Sequence, residues 1–259
     1  MKKLLAIIAV LVLAMALLAG CGSEKPKKFV VGLDDQFPPM GFKDEKGAIV
    51  GFDIDIAREA AKRLKWEVEF KPIDWSAKEV ELKSKRIDAI WNGFNIFPER
   101  EKVMLFSDPY MKCAQITFTM ADKTIKDGRD LAGKVVGVQQ SSTAEKNIKA
   151  DPTLSKSIKE LRVYPDVIAC LMDLKAGRLD AVVTDDIAGL YYTKKDGQEK
   201  YKVYQEPIGP VGNFGIGFRL EDKATRDAVQ KVLNEMAKDG TTAKISDKWF
   251  GRNIWNTGK

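Results

Sequence analysis

The side chains able to do chemistry in this 259-residue chain are arginines, carboxylates and hydroxyls, because it contains no histidine. That absence excludes a Ser-His-Asp triad, a Cys-His pair and every histidine-ligated zinc or iron site. Three cysteines, Cys21, Cys113 and Cys170, cannot supply the two CxxC pairs of a closed four-thiolate zinc site. Gly128-Arg129-Asp130-Leu131-Ala132-Gly133-Lys134 has the spacing of a phosphate loop, but Val135 stands where a magnesium-binding hydroxyl is needed. Its glycines also precede a strand instead of following one and opening a helix, so the segment reads as a turn. Gly212-Asn213-Phe214-Gly215-Ile216-Gly217 lacks the strand–turn–helix setting of a dinucleotide fingerprint for the same reason. Ser142 and Glu145 match a capping box, and Asp185-Asp186 are placed to cap a following helix.

The elements that must position these groups alternate between strand and helix. Apolar runs predict strands at Phe29–Gly32, Trp66–Phe70, Ile87–Trp91, Val135–Val138, Val182–Val183 and Tyr201–Tyr204. Helical spacing predicts a helix over Asp53–Leu64, with Asp53 as its N-cap, and others near 77–82, 143–149, 166–176 and 186–193. Two more close the chain, Lys223–Ala237 and Thr242–Trp249, with Gly240 as the C-cap between them. Such alternation implies an α/β architecture with mostly parallel strands. One internal echo stands out: Lys83-Ser84-Lys85-Arg86-Ile87-Asp88-Ala89-Ile90-Trp91 is repeated as Lys175-Ala176-Gly177-Arg178-Leu179-Asp180-Ala181-Val182-Val183. Two lobes of similar construction would produce that repeat.

The first residues address the chain. Met1-Lys2-Lys3 precedes an apolar run from Leu4 to Leu18, too short for a membrane span of ~20 residues and right for a signal peptide. The run ends in Leu18-Ala19-Gly20-Cys21, which looks like a bacterial lipobox, so residues 1–20 are expected to be removed and Cys21 acylated. Two or three acyl chains would hold the protein on a membrane surface, with residues 21–27 as a tether. Loss of residues 1–20 leaves 41 basic against 37 acidic residues, a net charge of +4. The lysines are scattered and no basic patch is interleaved with stacking aromatics, which argues against a nucleic-acid partner. Spacing alone leaves pairing of Cys113 with Cys170 open, although both sit in apolar segments that suit buried free thiols.

The stretch from Val31 to Tyr110 carries VGLDDQFPPMGFKDEKGAIVGFDIDIAREAAKRL and IDAIWNGFNIFPEREKVMLFSDPY; GKVVGVQQSST, AGRLDAVVTD and DGTTAKISDKWF follow in order. This set of blocks resembles the extracytoplasmic substrate-binding proteins of polar amino acid ABC transporters, over residues 29–250. The resemblance implies a periplasmic-binding-protein-like α/β fold, two lobes joined by two hinge strands. Lobe 1 would comprise 28–111 plus 208–259, and lobe 2 would comprise 112–207. It also implies a monomer that holds a free L-amino acid without cofactor or metal and delivers it to a membrane permease. The same fold hosts cyclohexadienyl dehydratases, the enzymatic alternative.

By the same resemblance Arg100 grips the ligand carboxylate in a bidentate fork, with Ser141 and Thr143 adding donors from a helix N-terminus. Asp185 pairs with the ligand ammonium, and Asn92, Gly93 and Asn95 line the cleft. Relatives often carry a hydroxyl where Asn92 and Asn95 stand. Phe37 and Trp75 match aromatics that sandwich the ligand side chain, and Asp34 matches an acid at its far end. Two aromatic faces plus a carboxylate suit a cation, so the expected ligand is basic, arginine ahead of lysine, with glutamine also accommodated.

Overall fold

Short apolar runs without polar alternation, such as Val31–Leu33 and Val136–Val138, are buried in the structure, a computed structural model that describes residues 26–255. The expected signal sequence, Cys21 and most of the expected tether lie outside the described residues. Buried runs of this kind need cover on both faces, and each seeds its own sheet. The first sheet has the order Glu67–Pro72, Lys28–Leu33, Ala89–Ile90, Gly217–Arg219, Met104–Phe106; the second has the order Glu160–Tyr164, Val135–Gln139, Ala181–Asp185, Gln115–Met120, Tyr201–Tyr204. In both, the first three strands are parallel and the fourth runs antiparallel to its two neighbours. The expectation of mostly parallel strands therefore holds with one reversal per sheet. Each reversed strand is the one laid down as the chain leaves the connecting ribbon. That ribbon pairs Met111–Cys113 antiparallel with Gly212–Phe214 and joins the two lobes.

The internal echo corresponds to equivalent places in the two sheets. Asp88 and Asp180 each precede a central strand, and each clamps the start of the strand beside it. The Asp88 carboxylate accepts from Val30 N at 2.9 Å and that of Asp180 from Val135 N at 2.8 Å. The preceding turns match as well: Lys85 and Gly177 both take left-handed backbone, φ 61° and 72°. The segment 128–134 is two turns leading into a strand, the setting expected of a turn and not of a phosphate loop.

Two capping expectations are corrected. The helix Phe52–Leu64 is capped by Gly51, and Asp53 lies inside its first turn. The loop before it already serves the helix: Phe52 N donates to Pro39 O at 2.7 Å and Asp53 N to Met40 O at 2.9 Å. With those N–H groups satisfied, no side-chain cap is needed and the Asp53 carboxylate is free to turn inward. At the other end, Asp239 caps the helix Lys223–Lys238, and Gly240 follows with left-handed backbone (φ 80°) and opens the helix Thr241–Phe250. Among the described residues no helix is long and apolar enough to cross a membrane.

Candidate functional site

Because the sheets share one topology, the C-terminal ends of equivalent strands meet across the gap between lobes, where open α/β sheets take their ligands. A pocket partly open to solvent lies there. Nine of the expected binding residues line it: Phe37, Trp75, Asn92, Gly93, Asn95, Arg100, Ser141, Thr143 and Asp185. Asp34 is the exception and sits behind the wall, where its Oδ2 accepts from Gln139 Nε2 at 2.6 Å.

Arg100 belongs to the short helix Pro98–Glu101, whose proline presets the first turn. Its guanidinium lies 4.1 Å from the Phe94 ring centroid; Nη1 donates to Asn95 O at 2.9 Å and Nε to Glu79 Oε1 at 3.2 Å. The charge is mostly buried, and that burial holds its pKa below the ordinary arginine value. Opposite it begins the helix Thr143–Ala150. Ser142 caps this helix by accepting from Glu145 N, as the capping box requires, while the Glu145 carboxylate accepts from Ser141 N at 2.6 Å. Thr143 donates its hydroxyl proton across the lobes to Asn95 Oδ1 at 2.7 Å. Asn95 in turn donates to Cys113 Sγ at 2.8 Å. Cys113 and Cys170 are both buried free thiols.

Asp185 ends a strand of the second sheet and caps the helix Asp186–Asp196, accepting from Ile187 N at 3.2 Å. It is buried, and that burial, with the neighbouring Asp186 carboxylate, drives its pKa well above the ordinary range. Gln115 Nε2 donates to its Oδ2 at 2.9 Å. Burial likewise lifts Asp34 to about 6 against the donors Gln139 and Gln36 N. Each of the two buried acids of the cleft is thus held by a glutamine amide. Gln115 and Gln139 line the pocket with Phe94, Thr184 and the helix cap Ser142, and the sequence marks neither glutamine, Phe94 nor Thr184 as a ligand contact. An amide has no chemistry of its own to flag it; its role follows only from which carboxylate it faces.

The aromatic wall differs from a simple pair. Trp75, in a single turn capped by Asp74, packs edge-on to Phe94 at 5.9 Å and 90°. Phe37 lies against Gly93, whose backbone is left-handed (φ 57°) and whose N–H donates to Asp53 Oδ2 at 2.8 Å. A Cβ on Gly93 would come within 2.8 Å of Phe37 Cε1 and 3.2 Å of Phe214 Cζ. Gly93→Ala is therefore expected to cost about 1–3 kcal/mol through left-handed backbone and overpacking, and to displace the Phe37 ring. Thermal denaturation and titration calorimetry check this: both the melting temperature and ligand affinity should fall, and an unchanged melting temperature contradicts the packing described.

Chemically the pocket offers one buried guanidinium on one lobe, one buried carboxylate on the other, hydroxyl and amide donors between them, and an aromatic wall. Among the described residues no three His, Cys, Asp or Glu side chains are grouped to hold a metal. The sequence profile of the family described as "Bacterial extracellular solute-binding proteins, family 3" matches residues 29–252. The L-cystine-binding protein TcyJ of Escherichia coli (strain K12) is 33% identical over 229 residues, covering 87% of this chain and 83% of that protein. The arginine-binding extracellular protein ArtP of Bacillus subtilis (strain 168) is 31% identical over 257 residues, 96% of this chain and 98% of ArtP. Among solved structures, an ABC uptake transporter substrate-binding protein from Streptococcus pneumoniae with bound histidine superposes with a TM-score of 0.85. It has 33% sequence identity, covering 89% of this chain and 95% of the other.

Proposed function

This chain belongs to the bacterial extracellular solute-binding proteins of family 3, and from that premise we propose that it captures a free polar L-amino acid and delivers it to an ABC permease. The observation that carries the reading is that Arg100 and Asp185 reach one pocket from opposite lobes. A zwitterion presents a carboxylate and an ammonium about one Cα apart, so binding both ends bridges the lobes and favours the closed form. Two relatives named for cystine and arginine, and a solved structure holding histidine, differ in the ligand side chain and share the zwitterion, which supports reading this pair as the common grip. We read the protein as a binder that performs no chemistry, with lobes at 28–111 plus 208–259 and 112–207. It is exported as a monomer and anchored through acylated Cys21.

Calorimetry with arginine, argininamide and N-acetylarginine tests the two-ended grip. Arginine should bind and each blocked compound should lose at least tenfold; equal binding of all three overturns it.

Arginine is the favoured ligand, followed by lysine or glutamine. Phe37 and Trp75 offer ring faces to a planar cation. Behind them, a guanidinium would take over the place of the Gln139 amide on Asp34. The Asp34→Asn substitution removes the charge and leaves the shape. Arginine affinity should then fall about 10- to 150-fold, the equivalent of roughly 1.5–3 kcal/mol for a hydrogen bond to a charged group, while glutamine affinity stays within about twofold. Calorimetry against both ligands decides it: a parallel loss for both removes Asp34 from side-chain recognition.

A further inference from the structure

Lys78 is a buried cation that the amino acid reading leaves unused. It opens the helix Lys78–Lys83 yet is only 2% exposed. Its Nζ donates to the carbonyl of Trp75 at 2.8 Å and, across the cleft, to the carbonyl of Ser141 at 3.1 Å. Both acceptors belong to residues that line the pocket. A buried ammonium ordinarily has a carboxylate partner. Among the described residues Lys78 forms no ion pair. The charged groups facing it are Arg100, which repels it, and Glu79, Asp74 and Glu145, which attract it. Those acids are engaged elsewhere: Glu79 with Arg100, Asp74 with Ser76, and Glu145 with Ser141 N and Lys149. Ser141 presents its carbonyl from left-handed backbone (φ 54°), with its own N–H fixed by Glu145.

Trp75 and Lys78 precede the connecting ribbon, whereas Ser141 belongs to the second sheet's side of the cleft. Parting the lobes breaks the 3.1 Å bond and opens the ammonium to water. Bringing them together over an empty pocket buries Lys78 and Arg100 near each other, with half-exposed Glu79 on Arg100 and no carboxylate on Lys78. We propose that Lys78 couples closure to occupancy: its ammonium opposes closure of the empty cleft and is compensated when a ligand carboxylate lies beside Arg100. The inference rests on the reading of Arg100 as the carboxylate grip, and it makes Lys78 a positioning residue that acts through the backbone of Trp75 and Ser141.

Burial, aided by Arg100, lowers the pKa of Lys78 from 10.5 to about 8 in this closed arrangement. A form that holds its proton less tightly is favoured as pH rises. Taking the ordinary value for the open form, the closing equilibrium of ligand-free protein should shift about 30-fold toward closed between pH 7 and 9.5. Small-angle scattering of ligand-stripped protein at those two pH values reads this directly. Wild type should contract as pH rises, Lys78→Met should be contracted at both, and Lys78→Arg, which stays charged, should remain extended at both. With saturating arginine, wild type should be contracted throughout. If Lys78→Met fails to fold, the contrast between wild type and Lys78→Arg carries the same test. Contraction with arginine but identical ligand-free radii across pH and variants overturns the proposal and leaves amino acid binding standing. No contraction with any amino acid overturns the binding reading and the proposal with it.

Discussion

Replacing Arg100 with alanine is expected to weaken amino acid binding by at least tenfold while leaving the ligand-free fold nearly as stable as before. The guanidinium is buried against Phe94 and, among the described residues, has as its ion-pair partner only Glu79, which is itself half exposed. A surface-linked pair of this kind contributes about 0–1 kcal/mol to stability. A carboxylate docked on a desolvated guanidinium is another matter. Removing one partner of such a pair costs about 2–5 kcal/mol, which is roughly 30-fold or more in affinity. Arg100→Lys separates charge from geometry: it keeps a cation but loses the fork and the flat stacking surface, so its affinity should fall between wild type and Arg100→Ala. Calorimetry of the three proteins beside their melting curves checks both halves. Unchanged affinity in Arg100→Ala removes the residue from the site.

The second large effect runs in opposite directions for binding and stability. Asp185→Asn keeps the side-chain volume and an oxygen to accept from Ile187 N, so the helix Asp186–Asp196 retains its cap. It removes the partner of the ligand ammonium, and affinity should drop by about 2–5 kcal/mol, 30-fold or more. The ligand-free protein should melt higher. Because burial and Asp186 raise the pKa of Asp185, folding favours its protonated form. Its unfavourable contribution is absent below the ordinary value of 3.8 and grows as pH climbs toward the raised folded value. The stability gap between Asp185→Asn and wild type should therefore widen upward from about pH 4, with each kcal/mol worth about 2–4 °C in melting temperature for a chain of this size. Melting curves from pH 4 to 8 decide this. A variant less stable than wild type at pH 8 contradicts the account of a carboxylate held against its preference until an ammonium arrives.

Much of this arrangement was legible before any coordinates. Long periodic segments such as Lys223–Lys238 and buried apolar runs such as Val135–Gln139 announce themselves, because one physical period dominates each. The strand Glu160–Tyr164 does not: it sits at a sheet edge with charged Glu160 and Arg162, so it lacks a continuous apolar run. The helix Pro152–Ser157 is a single capped turn and a half; its signal was the Asp151-Pro152 start, not periodicity. Asp53 misled because an acid before an apolar stripe is the usual mark of a cap, whereas here Pro39 and Met40 carbonyls fill that role. In the cleft, Arg100 and Asp185 were readable from the order of the blocks around them. Gln115 and Gln139 were not, since an amide becomes meaningful only beside the carboxylate it steadies. Lys78 resembles any lysine on an exposed helix until the second lobe covers it.

The most direct test of the central claim is a thermal-shift panel on protein unfolded and refolded to strip any carried-over ligand. The panel spans the twenty amino acids with ornithine, citrulline and prephenate. A ligand at 100 times its dissociation constant adds ~2.7 kcal/mol of stability, a shift of several degrees. Arginine, followed by lysine or glutamine, should raise the melting temperature and prephenate should not. A response to prephenate with silence from every amino acid would contradict the account and put the enzymatic alternative on this fold first.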